Sequence, residues 1–143
     1  MSFNMNLYSE ILAEFDKAET RKDKITVLRK YDDGRLREFF YCAFSPNIEF
    51  DVTVPEYKPS IVPAGLNDCY LHQEMTKMFR FIRNHPKRTP GLYGTKQQNI
   101  LINILEGLHK DEAELFVKLI QKKLDVKFLT AAIVKEAYPG IDL

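Results

Sequence analysis

Pro55, Pro59 and Pro63 stand four residues apart in this 143-residue chain. Each lacks an amide donor and fixes its own φ, so no long helix can run through residues 47–67. On both sides of that stretch, apolar residues recur at helical spacing. Leu7, Ile11, Leu12 and Phe15 share one face of a helix running through about Ala18. Thr20 is placed to cap a second helix, whose inward face is Ile25, Leu28 and Tyr31. Asp32-Asp33-Gly34 breaks the chain, and a third helix with Leu36, Phe39, Phe40 and Ala43 ends before Ser45-Pro46. Within the proline-rich stretch Ile48, Phe50, Val52 and Val54 alternate with polar residues, which predicts a short extended segment and an irregular loop wrapping the helices.

Helical spacing returns with Leu71, Met75, Met78, Phe79 and Ile82, and again with Ile100, Leu101, Ile104, Leu105 and Leu108. A further helix begins near Asp111 and turns Leu115, Phe116, Leu119 and Ile120 inward. Thr130 caps a last short one, stopped by Pro139-Gly140. The expected fold is all-α: a single domain over residues 1–143, a compact bundle of about seven helices with one extended Pro-rich loop.

Composition narrows the class of function. A hydrophobic fraction of 45% and a charged fraction of 29% are those of a globular protein. No apolar run approaches the roughly 20 residues of a membrane span, so no membrane partner is expected. The opening MSFNMNLYSE has neither a basic region nor an apolar core, so no secretory signal is expected. Cys42 and Cys69 are too few for a disulfide framework and too far apart for a CxxC site. They read as reduced core thiols in a cytoplasmic protein. His72, His85 and His109 show no metal-ligand spacing, and neither a metal nor another cofactor is expected.

Enzyme signatures are absent. There is no P-loop, GxGxxG, HExxH or GxSxG. KYDDGRLR, residues 30–37, approaches the nucleotidyltransferase pattern K-x-D-G-x-R but is out by one residue. With Asp33-Gly34 as its D-G, Tyr31 takes the place of the nucleophilic lysine and Leu36 that of the arginine. Glu112 and Glu114 stand at a predicted helix start, where they complement its dipole. The chain is read as non-catalytic.

Charge is where the sequence is uneven. The net charge is +1, yet residues 75–105 hold six basic side chains and no acidic one, while residues 1–74 hold nine basic and thirteen acidic. Lys77, Arg80 and Arg83 fall three apart, on a common side of a helix. Gly94-Thr95-Lys96 delivers a glycine turn into a helix whose first N–H groups and dipole favour an anion. Arg83, Lys87 and Arg88 are near it in sequence. A second basic cluster, Lys122, Lys123 and Lys127, lies at the junction of the last two helices.

The stretch HKDEAELFVKLIQKKLDVKFLTAAIVKEAYPGI resembles the end of the helical N-terminal DNA-binding domain of phage-type ATP-dependent DNA ligases. Its turn is Lys123-Leu124-Asp125-Val126 and its stop Tyr138-Pro139-Gly140-Ile141. Leu92-Tyr93-Gly94-Thr95 is similar to the start of the preceding helix in that domain, and LREFFYCAFSPNIEF (residues 36–50) to an earlier helix and extended segment. The likeness extends to small stand-alone tailed-phage proteins that resemble this domain and lack the catalytic ones. The resemblance implies contact with duplex DNA, nicks or ends included, through its phosphates. That role falls on Lys123, with Lys122 beside it, and on Gly94-Thr95. Where the ligase domain has glycine after the valine, this chain has Lys127.

Three functions remain open on the sequence. The first is a non-catalytic phage protein of the host cytoplasm that binds duplex DNA through Arg83, Lys87, Arg88, Gly94, Thr95, Lys96, Lys122, Lys123 and Lys127. The second is a module that binds a host or phage replication or transcription protein through the Pro-rich loop and its aromatics Phe50 and Tyr57. The third is the DNA-binding half of a split ligase.

Overall fold

The computed structural model describes residues 7–143; most of the opening stretch read for a targeting signal lies outside them. Among the described residues seven α-helices follow in order: α1 (Tyr8–Lys17), α2 (Arg21–Lys30), α3 (Gly34–Phe44), α4 (Leu71–Glu74), α5 (Gly94–Gly107), α6 (Lys110–Ile120) and α7 (Ala131–Ala137). The all-α reading holds. Among the described residues, the one β pairing is an isolated antiparallel bridge between Phe50 and Ile82.

Local chemistry sets most of the helix boundaries. Thr20 accepts the amide of Asp23 at 3.1 Å and opens α2. Asp33 accepts the amide of Arg35 at 2.7 Å and opens α3, so the Asp-Gly pair starts a helix as well as ending one. Thr130 accepts the amide of Ile133 and opens α7. The inward faces pack as their spacing requires: Phe15, Leu28, Leu36, Phe39, Phe40, Leu101, Leu105, Phe116, Leu119 and Val134 are fully buried in one core.

After α4 the winding departs from the expected helix. Residues Met75–Phe81 form a 3-10 helix. At three residues per turn, Met75, Met78 and Phe81 fall in one row, and all three are buried. Phe79, expected inside on α-helical spacing, is left half-buried.

Charged side chains brace the helix ends. The buried Lys24 ammonium donates to the Phe15 carbonyl at 2.9 Å, closing α1. Arg29 donates to the carbonyls of Glu136 and Ala137, closing α7. Lys122 donates to the carbonyls of Cys42 at 2.7 Å and Ser45 at 2.9 Å, closing α3. Cations at helix C-termini meet both the dipole and the unpaired carbonyls.

At the opposite polarity, Glu112 does more than complement its own helix. Its carboxylate is wholly buried and accepts the first amides of two other helices, Tyr8 at 2.9 Å and Leu71 at 3.1 Å. Three helix starts therefore meet at one carboxylate. Burial is the main influence and pushes its pKa up, against the lowering effect of the two amides.

The Pro-rich segment is partly core and partly display. Ile48, Phe50, Val52, Val54 and Tyr57 pack against the core. Farther along, Leu66 N–H donates to Pro63, Asn67 to the Val62 carbonyl, and Tyr70 Oη to Gly65 at 2.7 Å. These bonds fix a loop tip on which Ile61 is 99% and Leu66 72% exposed.

Candidate nucleic-acid interface

α5 and α6 are joined by two residues and pack against each other. The start of α5 and the exit of α6 are also linked through residues 45–51. That exit is a glycine-type helix stop built without glycine. Lys123 N–H donates to Lys118 and Lys122 N–H to Leu119, with Lys122 at φ 57°.

Residues 45–51 form a strap between the exit of α6 and the first turn of α5. Lys122 holds the carbonyl of Ser45 at its beginning. Arg83 N–H donates to Glu49 at 2.7 Å, and Asp51 N–H to Phe81 at 3.1 Å. At its far end the Asp51 carboxylate accepts from Arg88 and, at 3.4 Å, from Gln97 in the first turn of α5. Six residues of extended chain span at most about 20 Å. The two predicted halves of a phosphate contact are thus tied to one short segment, over about six nucleotide steps of 3.4 Å.

The nine residues singled out in the sequence divide sharply. Arg88 is internal: its side chain is 7% exposed, paired with Asp51, and it also donates to the carbonyls of Ile82 and Leu92. Its guanidinium lies over the Tyr93 ring at 5.0 Å. Arg83 faces Glu49 at 3.5 Å on the surface. The Lys122 ammonium is committed to α3, and burial pushes its pKa down. The acidic strap, remote in sequence from the acid-free segment, neutralises part of it.

The rest of the set is uncommitted. Lys87, Lys96 and Lys123 are exposed and make no side-chain hydrogen bond or ion pair among the described residues. Lys127 is exposed and lies over its neighbour Phe128. Thr95 does not cap α5. The cap position is Tyr93, with no side-chain hydrogen bond, and the turn into the helix uses Gly94 at φ 57°. The first amides of this 14-residue helix are left without a side-chain acceptor, beside Lys96. Lys87 faces elsewhere, lining a cleft against the start of α3.

Sequence reading missed two groups here. Tyr93 is 65% exposed and braced by Arg88. Gln97 is buried and donates to the Arg80 carbonyl at 3.0 Å, anchoring the first turn of α5. The placement of Tyr93 directly before Gly94 was visible in the sequence; the depth of Gln97 was not.

Lys77 and Arg80 do share a side, but Arg80 is turned toward Glu74 at 3.6 Å and is largely buried. Both cysteines are free, and burial pushes the Cys42 thiol up to about 12. Among the described residues, no helix is long and apolar enough to cross a membrane.

The model of a family of unknown function, DUF6433, matches residues 11–126. No curated protein and no solved structure matches the chain.

Proposed function

The chain belongs to the DUF6433 family, and from that premise we propose that it is a non-catalytic, phage-type protein that binds duplex DNA through its phosphates. The contact surface is the bundle end where α5 begins and α6 leaves. Lys96, Lys123 and Lys127 supply mobile charge, and the amides following Gly94 supply oriented donors. The observation that carries this reading is the uncapped α5 start beside the uncommitted Lys96, tied through residues 45–51 to the exit of α6, where Lys123 is also uncommitted. Phosphate contacts of this kind carry no sequence information, so recognition would rest on the shape of the duplex.

A gel mobility shift on nicked and continuous duplex at about 50 mM salt tests it, because counterion release favours binding most strongly at low salt. The reading expects a shifted band for the wild type and none for Lys96→Glu with Lys123→Glu. No shift from the wild-type protein at that salt sinks the proposal.

The loop tip favours a second reading, in which a host or phage replication or transcription protein is the partner. Residues 59–67 carry no charge and present Ile61 and Leu66 to solvent on a hydrogen-bonded turn. The contact residues would then be these aliphatics, since Phe50 and Tyr57 pack against the core. Ile61→Asp would abolish such an interaction and leave the mobility shift intact.

A further inference from the structure

A cleft of about 270 Å³ opens between the start of α3, the 3-10 helix and the turn that follows it. Its lining is mixed: Met75, Met78, Ile82 and the half-exposed ring of Phe79 supply the apolar part. Its rim is cationic. Lys87 is exposed there with no partner among the described residues. Arg35 reaches Asp33 only at 3.6 Å and the His72 ring at 3.4 Å, leaving most of its five donors without a short hydrogen bond. Burial first, and then the Arg35 charge, push the His72 pKa down.

Three of the other six arginines are paired more tightly, whereas Arg80 and Arg83 meet their carboxylates only at 3.6 and 3.5 Å. Arg21, Arg37 and Arg88 each make an ion pair at or below 2.7 Å. The cleft also holds His85, whose Nδ1 accepts the Lys87 amide at 3.1 Å. In its neutral form the ring therefore carries its proton on Nε2. His85 lies 5.8 Å from the Phe79 ring, giving the cleft two aromatic faces. The one carboxylate in the lining, Glu38, takes the Cys42 thiol hydrogen at 3.8 Å.

We infer that this cleft is a binding site for a phosphate monoester carried on a nucleoside. Arg35 and Lys87 hold the phosphate, and the Phe79 and His85 rings meet the base. Small-ligand pockets combine apolar and aromatic walls with a few polar groups that fix orientation, and guanidinium matches phosphate in geometry as well as charge. The site is separate from the α5 end and goes beyond the proposed backbone contact. Its ligand is either a free nucleotide or the 5′-phosphate terminus of a DNA strand, which share this chemistry.

Titration calorimetry of the whole protein with thymidine 5′-monophosphate and with thymidine tests it directly. The monophosphate is expected to bind at least about tenfold more tightly, and Lys87→Met to remove about that factor. Because the Lys87 side chain makes no hydrogen bond or ion pair among the described residues, and its amide bond to His85 survives the change, this variant folds as the wild type does; Arg35→Met is the second arm and should act in the same direction. Equal affinity for the two ligands, no binding of either, or an unchanged Lys87→Met overturns the inference. That result would leave duplex binding, measured separately, standing or falling by itself. The source follows from competition with blunt duplexes. A 5′-phosphorylated duplex that displaces the nucleotide while its 5′-hydroxyl twin does not identifies the strand end, and equal behaviour of the twins identifies the free nucleotide.

Discussion

The ammonium of Lys122 donates to the carbonyl oxygen of Cys42 at 2.7 Å, joining the exit of α6 to the last turn of α3. The same residue sits at φ 57°, in the left-handed region that favours glycine. Its backbone and its side chain therefore pull a substitution in opposite directions. Lys122→Met should cost about 1 kcal/mol, the net worth of an intramolecular hydrogen bond in a partly exposed setting. Lys122→Gly should cost less, because relief of the backbone offsets part of that loss. Chemical denaturation of the two variants checks the order, and Met proving the more stable would refute the backbone relief expected at φ 57°.

Glu112 makes stability depend on pH in an unusual direction. Its folded pKa is raised, chiefly by burial. Between the unfolded and folded values the folded state holds the extra proton, so this group's contribution is greatest at low pH and is lost as pH rises through the folded pKa. Glu112→Gln cannot accept both amides and should destabilise the fold by about 2 kcal/mol. The gap between wild type and variant should be widest near pH 4 and narrow towards neutrality. A gap that widens with rising pH would contradict this assignment.

At the end of α5, a Cβ on Gly107 would meet the Cys69 sulfur at 2.7 Å. Alanine there should destabilise by about 1 kcal/mol or more through overpacking, although it is the better helix former. In a Cys69→Ala background the same change should be neutral or stabilising. Thermal melts of the four proteins form a double-mutant cycle, and additivity across it would show that the two residues do not oppose each other.

Arg88 was conspicuous in the sequence as a cation, and the fold uses it as a clamp. Its side chain and that of Asp51 are 7% and 17% exposed. Arg88→Met leaves Asp51 charged and largely unpaired, at a cost of about 3 kcal/mol. Adding Asp51→Asn should recover part of that. A double variant no more stable than Arg88→Met in denaturant would count against the clamp.

These cases show what was legible in the sequence. Helix number, the Thr20 and Thr130 caps, and nearly every core face follow from local spacing, because capping and amphipathic periodicity act within a few residues. The exchange of Phe79 for Phe81 was hidden because a 3-10 helix and an α-helix share the i, i+3 row and differ in what comes next. The carboxylate partners of Arg83 and Arg88 and the carbonyl partners of Lys122 lie 34 or more positions away, in residues 42–51, and nothing in a charge count couples them. The acid-free segment is real, but its charge is answered by an acidic strap from another part of the chain. What survives as free charge at the α5 end is quieter than the sequence suggested.

The salt dependence of duplex affinity tests the central proposal most directly. Two or three phosphate contacts from Lys96, Lys123 and Lys127 predict a slope of about −2 to −3 for log K against log salt. Removing Lys96 or Lys123 singly should reduce that slope by about 1 and weaken binding equally across DNA sequences. Fluorescence anisotropy on a labelled duplex between about 50 and 200 mM salt gives the number. A slope near zero, or one unchanged by both lysine variants, would contradict phosphate binding at this end of the bundle.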